Sequence, residues 1–391
     1  MKKFPFKELI IYLNKILSSS QKKQAVILLI IMIVGMGFEV LLLNNLLILL
    51  NYLTQTDTAI PQIVSYFVEI FNFNQISLAV LILFILTFLF KTISTIIVRW
   101  KESKFVFFLK AKISEKLYYG YLGLPLIFHQ RTNTAKTLKN ITFEVDQLSY
   151  LINALSTLSL ELLVLVGISS YLIAIDPITS SICIFAFLLF GYFFNLFNKS
   201  KIKTMSHERL IHQDGKVKSI MEGLIGMREL KLWSKKKSFL ETFNFHNNKI
   251  ANISVSTQLR NTLAKPSFEI FMLIILSVFL IFLILNNLLN ASAIPLFGIY
   301  LAAAYRLVPS IARIVQSIQT MQFNIRCAEN LSEEIQKFDE EKKENKNSKR
   351  SSINFNKEIE LKNLNFSYDL KNSKKIKFIF ENLNLIIKKG D

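Results

Sequence analysis

Cysteine and acidic residues are scarce in this chain, and each shortage excludes something. The two cysteines, Cys183 and Cys327, fall in an apolar stretch and a helical one. They exclude a disulfide framework and make a poor metal site, so no metal is expected. Asp and Glu number 28 against 47 Lys and Arg, a formal charge of +19. In a soluble protein that excess would suggest nucleic acid. Here the cations lie between apolar stretches, which points to retention at a membrane face, and no nucleic-acid partner is expected. The basic N-terminus, Met1 to Lys23, lacks a short apolar region followed by a small-residue cleavage site. A cleaved signal peptide is therefore not expected, and the first apolar run is expected to stay as a span.

What is abundant is hydrocarbon. The chain is 51% hydrophobic and has 34 Phe, and about 20 apolar residues suffice for a helix to cross the bilayer core. Six stretches qualify: Ala25–Leu50, Ile76–Val98, Leu151–Ile175, Pro177–Asn198, Ser267–Leu289 and Ala291–Val315. The segments between them alternate in charge. Asn51–Gln75 holds Asp57 and Glu69 but no Lys or Arg, Asp176-Pro177 is a tight turn, and Asn286–Pro295 is uncharged. The N-terminus, Arg99–Lys139, Lys199–Lys265 and the chain after Arg313 are basic. Every crossing obeys the positive-inside rule with both termini in the cytoplasm.

Two basic segments, Lys101–Leu122 and Lys201–Leu240, have helical composition with few glycines and no proline. They predict spans that run on past the bilayer as long helices. Gly120, Gly123 and Pro125 break the first at its far end, and Gly223 and Gly226 break the second. Helices that leave the membrane, turn and return present their tips to a cytoplasmic partner, or form solvated hairpins without one. Beyond them, Lys337–Lys357 is rich in Lys, Glu, Asn and Ser and reads as a solvated linker. Ile359–Phe366 then alternates apolar and polar residues as a half-buried strand does, and Phe378–Ile387 is a second strand-like stretch. A lone pair of strands is marginal in water.

The tail resembles the start of the ATP-binding domain of an ABC transporter. Ile359-Glu360-Leu361-Lys362-Asn363-Leu364-Asn365-Phe366-Ser367-Tyr368 is similar to that family's opening strand, and Phe380 to Asp391 to the next strand and its turn. By this resemblance Tyr368 is the aromatic on which adenine stacks. The six spans with two long excursions resemble the type I exporter fold, an all-α membrane domain over residues 1–336, a linker over 337–357 and the first strands of an ATP-binding domain over 358–391. Tyr121 to His129, with Leu124, Pro125 and Phe128, and Glu222 to Trp233, with Gly223, Gly226 and Glu229, look like the two coupling helices that dock into ATP-binding domains. Tyr305 to Arg313 most resembles the subgroup that flips lipid-linked oligosaccharides or exports polysaccharide. The resemblance implies a homodimer in a bacterial inner (plasma) membrane, driven by ATP and Mg²⁺.

Charges inside spans are rare and costly, so Glu39, Lys91, Glu161, Arg306 and Arg313 are functional candidates, with Glu269 nearer water. Arg306 and Arg313 are two turns apart on one helical face, and Lys91 and Arg99 share a face in span two. One expectation is a cationic cavity for an anionic head group such as the diphosphate of a polyprenyl-linked glycan, to which the planar guanidinium fork is suited. The alternative is internal ion pairing, for example of Lys91 with Glu39 or Glu161. Other substrates of the same fold, namely lipids, drugs or peptides, remain open, as does an inactive truncated product whose ATP-binding domain is missing.

No glycine of the chain stands in the phosphate-loop pattern G-x-x-x-x-G-K-[ST], whose backbone N–H groups and Lys hold nucleotide phosphates. His129, His207, His212 and His246 lie in the membrane-domain helices. Without phosphate, Mg²⁺ and base groups phosphoryl transfer has no machinery, and ATP is not expected to bind these residues well. The purified 391-residue chain should therefore release no phosphate from ATP in a coupled assay. Turnover that survives removal of contaminating ATPases would overturn this expectation.

Overall fold

The computed structural model describes residues 6–54, 76–132, 134–285, 293–347, 357–367 and 378–390. The chain divides into two compact units, Met1–Asp339 and Glu340–Asp391. The first is built from helices: α1 (Phe6–Ile16), α2 (Ser19–Leu53), α3 (Ile76–Leu122), α4 (Leu126–Arg131), α5 (Thr134–Lys139), α6 (Val145–Ile175), α7 (Pro177–Ile225), α8 (Met227–Leu232), α9 (Lys236–Leu285) and α10 (Ala293–Asn347), the last running into the second unit. One π-helical turn, Asn140–Glu144, joins α5 to α6.

Six of these helices are long and apolar enough to cross a membrane, so the chain is a multi-pass membrane protein. Their length exceeds the task. The 47 residues of α3 at about 1.5 Å each extend about 70 Å, whereas the hydrocarbon core is about 30 Å thick. The surplus lies in the basic halves of α3, α7 and α9. The apolar halves turn large side chains outward, as Phe88, Phe90, Ile93 and Ile96 of α3 do, which suits a lipid surround.

Sequence chemistry sets the helix ends. Ser18 caps α2 in a reciprocal box: its Oγ accepts the Gln21 N–H at 3.4 Å, and Gln21 Oε1 accepts the Ser18 N–H at 2.7 Å. Asp176 turns the chain between α6 and α7. Its Oδ1 accepts the Thr179 N–H at 3.3 Å, its Oδ2 accepts the Tyr300 hydroxyl at 3.2 Å, and Pro177 occupies the first position of α7.

The largest core sits among the basic extensions. Leu9, Leu13 and Ile16 of α1 pack there with Ile113 and Leu117 of α3, Leu148 and Leu151 of α6, and Met321, Leu331 and Phe338 of α10. Polar ties fasten the same region. Arg209 of α7 is buried, bonds Gln147 of α6 and Asn324 of α10, and lies 4.2 Å from the Phe323 ring centroid. Lys139 reaches Asp214 of α7 at 2.5 Å and Glu144 at 3.3 Å. Burial works against the Lys139 charge, but the two carboxylates outweigh it and hold its ammonium above the usual range. Burial also pushes the Cys327 thiol up, which leaves it a poor nucleophile. Smaller clusters fill the spans: Leu43, Ile168, Ile299 and Ala303 join α2, α6 and α10, and Phe268, Val308 and Ile311 join α9 to α10.

Two regions differ from the sequence expectation. The first eleven residues of the expected linker, Lys337–Asn347, continue α10 as helix, because Glu and Lys are good helix formers even without an apolar stripe. In the second unit, β1 (Glu358–Phe366) and β2 (Phe380–Lys388) form one antiparallel pair, but it is not regular. The register runs Glu358↔Lys388 to Leu361↔Leu385 and then shifts before Leu364↔Leu383 and again before Phe366↔Phe380. Asn363 and Asn382 sit at the shifts with φ of 50° and 52°, a left-handed conformation that Asn tolerates. Asn384 and Asn365 side chains accept their N–H groups at 2.9 and 2.7 Å. Ile359, Phe366, Ile386 and Ile387 are exposed on this pair.

Gly120, in the last turn of α3, admits the ring of Phe338. A Cβ there would lie 2.4–2.7 Å from three ring atoms. Gly120→Ala should therefore destabilise the chain by about 1–3 kcal/mol, read as a lower thermal midpoint in detergent. Phe338→Leu should recover part of the loss, and an unchanged midpoint for Gly120→Ala would refute the packing.

Candidate functional site

The charges that stand inside apolar spans converge on one cavity of about 710 Å³ between α2, α3, α6, α9 and α10. Their positions follow from the helices. Glu39 comes from α2, Lys91 and Arg99 from α3, Glu161 from α6, and Arg306 and Arg313 from α10. Glu161 is fully buried. It accepts from Arg313 Nε at 2.6 Å and Nη2 at 3.2 Å, from Arg99 Nη2 at 3.4 Å and from the Ser310 hydroxyl at 2.8 Å, and Arg306 lies 3.7 Å away. Glu39, also buried, takes Arg306 at 2.9 Å and Lys91 at 3.6 Å. Arg99 reaches the buried Glu102 of its own helix at 2.8 Å. The result is a string of alternating sign, Lys91–Glu39–Arg306–Glu161–Arg313, with Arg99–Glu102 branching from Glu161.

All four sequence-predicted cavity cations, Lys91, Arg99, Arg306 and Arg313, are thus together, and each is ion-paired. The pairing anticipated for Lys91 is made with Glu39. Pairing does not neutralise the site. The lining holds five cations, the fifth being Lys265, and three carboxylates, the third being Glu269; Glu102 behind Arg99 makes a fourth, so one positive charge is in excess. Lys265 and Glu269 pair at 3.6 Å and are half exposed or more. Arg306 Nε is buried without a hydrogen-bond partner, so its guanidinium has unused donor capacity. Pro309 lies in α10 between the two arginines, and Pro266 in α9 beside Lys265. Lacking N–H groups, both interrupt their helical ladders at the level of the cavity.

Beside this polar space is a narrow apolar crevice between α6, α7, α9 and α10, bordered by Leu165, Cys183, Phe187, Phe279 and Tyr300. Met272 of α9 borders both.

The two predicted tips are short helices. Pro125 precedes α4, which carries Phe128, and Leu124 forms the turn before it. Gly226 separates α7 from α8, with Gly223 in the last turn of α7 and Glu229 in the first turn of α8. The first tip is organised by Tyr121. Its hydroxyl donates to Glu334 at 3.0 Å and accepts from Asn140 at 2.8 Å, and its ring stacks on Phe128. Burial pushes this phenol well above its ordinary range. Leu126 is 73% exposed, and at the second tip Ile225 and Trp233 are 78% and 74% exposed. Large apolar side chains left in water at two turns are unusual unless something covers them.

Tyr368 lies outside the described residues. Ser310, Glu102 and Lys265 belong to the site, and the sequence reading did not place them there. Ser310 and Glu102 carry no signal beyond ordinary helix composition. Glu269, read from the sequence as nearer water, lines the cavity with its side chain half exposed, and Lys265 one turn before it could have been flagged by that spacing. Among the described residues no group of three metal-ligating side chains stands together. No family model matches the chain.

Because Glu161 is shared by three guanidinium groups and is the one carboxylate that Arg313 reaches among the described residues, Glu161→Gln should leave that partly exposed guanidinium unpaired and cost about 1–3 kcal/mol. Arg313→Gln in the same chain should restore part of that, giving a coupling energy of about 0.5–3 kcal/mol in a double-mutant cycle of thermal or denaturant unfolding. Strict additivity would show that the pair makes no energetic contact.

Proposed function

We propose that the chain is the membrane portion of an ATP-driven exporter of the type I ABC class, acting as a pair of copies, and that its cavity takes the anionic head of a lipid-linked saccharide. The observation that carries this reading is the cavity's composition: five cations against four carboxylates with Glu102 counted, two of the cations being Arg306 and Arg313 on one face of α10. Arginine forks match phosphate oxygens in pairs. A diphosphate entering the cavity would compete with Glu39 and Glu161 for them, and the carboxylates keep the cations ordered while the cavity is empty. In this reading α4 and α8 are the docking points for ATP-binding domains, which accounts for their exposed Leu126, Ile225 and Trp233. ATP and Mg²⁺ would be held by those domains. The basic halves of the helices and both termini would lie in the cytoplasm of a bacterium, beneath its inner membrane.

A second reading, an exporter of uncharged lipids or drugs, is favoured by the apolar crevice around Phe187 and Phe279. One experiment separates the two. The 391-residue chain in nanodiscs of neutral lipid is titrated with a polyprenyl diphosphate and with the matching uncharged polyprenol, and binding is read by native mass spectrometry. The diphosphate should bind at least about tenfold more tightly, a difference of about 1.4 kcal/mol, and Arg306→Gln should abolish that preference. Equal binding of the two probes would overturn the cationic-cavity reading and favour the apolar one.

A further inference from the structure

A second charged space lies outside the cavity and rests on the fold, not on the function just proposed. It is a groove of about 370 Å³ between the start of α2 and the middle of α3. Its polar side is lined by Lys101, Lys104 and Lys112, and its apolar side by Ile27, Ile31 and Phe108. Residues 101, 104, 108 and 112 recur at three- and four-residue steps, so they share one face of α3. No acidic residue lines the groove. Among the described residues none of the three lysines is within ion-pair distance of a carboxylate, whereas Lys110 of the same helix pairs with Asp146 at 2.6 Å.

The groove sits where α3 changes from hydrocarbon to charge, at Val98-Arg99-Trp100-Lys101. Trp100 marks that level, with Lys101 Nζ 5.0 Å and Lys104 Nζ 5.3 Å from its ring centroid, and Trp is enriched where hydrocarbon meets headgroups. At the upper end Gln21 is nearly buried, and its carbonyl oxygen is engaged by Ser18. Its amide N–H₂ is therefore its remaining polar end. Two unpaired ammonium groups at headgroup depth, Lys101 and Lys104, a third, Lys112, about 12 Å further along α3, and an apolar wall descending into the span form a complement to a single amphiphile. We infer that this groove binds an anionic phospholipid of the adjacent leaflet, its phosphate between Lys101 and Lys104, with Lys112 adding positive charge farther along the groove, and an acyl chain along Ile27 and Ile31. A neutral-headed lipid presents no net charge to three cations, so the groove discriminates by charge.

The test uses the 391-residue chain with Trp233→Phe, which leaves Trp100 as its single tryptophan, in phosphatidylcholine nanodiscs. Quenching of Trp100 is measured as chain-brominated phosphatidylglycerol, or chain-brominated phosphatidylcholine, replaces the unbrominated lipid. Phosphatidylglycerol should quench at a mole fraction about tenfold lower than phosphatidylcholine. Lys101→Gln/Lys104→Gln/Lys112→Gln should remove that preference, while Lys235→Gln/Lys236→Gln/Lys237→Gln, an equal loss of charge at the far tip, should keep it. All six lysines are exposed, and unchanged circular dichroism checks that both variants fold. Arg306→Gln should also keep the preference, which separates this site from the cavity. Equal quenching by both lipids, or equal loss in both triple variants, would overturn the proposal in favour of diffuse attraction. Reversal of quenching by millimolar inorganic phosphate would overturn it in favour of a free-phosphate site.

Discussion

A single carboxylate with no access to water organises the membrane unit. Glu161 could not remain charged in hydrocarbon alone, since desolvating an ion costs several kcal/mol. Its compensation comes from three arginines and a serine on two other helices, α3 and α10. Through Arg306 the same constraint reaches Glu39, and hence α2. Four helices that could each slide in lipid are therefore held in one register by ionic contacts between named atoms. Apolar packing alone is weakly directional, and lipid is as apolar as the side chains it would replace.

The basic extensions solve a different problem. Beyond the bilayer the long helices lose their lipid surround and must cover one another in water, so the largest apolar core is there and not in the spans. α1 closes it with Leu9, Leu13 and Ile16. Arg209 and Lys139 then fasten α7 to this core by buried polar contacts. The first tip rests on this core through Tyr121, Leu124 and Phe128.

Much of this was legible in the sequence because it is local. Apolar runs of twenty residues, the alternation of charge between them and the glycines at each tip report on nearby structure. The cations at 91, 99, 306 and 313 stood out because charge is expensive in hydrocarbon. What was not legible is long-range. Nothing near Arg306 in the chain says that its partner is Glu39, 267 residues away. Ser310 looked like any helix serine until Glu161 was found opposite it. In the tail both strands were legible but their register shifts were not, because asparagine can adopt a left-handed backbone and bond across the pair. The helical run of α10 to Asn347 shows that polarity alone does not end a helix.

Pro309 has a mechanical effect. It sits between Arg306 and Arg313 in a helix that otherwise reads as one rod, and it withholds the backbone donor that would have tied the turn below it. The two arginines therefore stand on either side of a missing ladder hydrogen bond. Arg306 faces Glu39 on one side of the gap, and Arg313 faces Glu161 on the other. The missing bond lowers the cost of bending α10 between these two contacts, while the Arg306–Ser310 and Ser310–Glu161 hydrogen bonds bridge the same turn from the side-chain face.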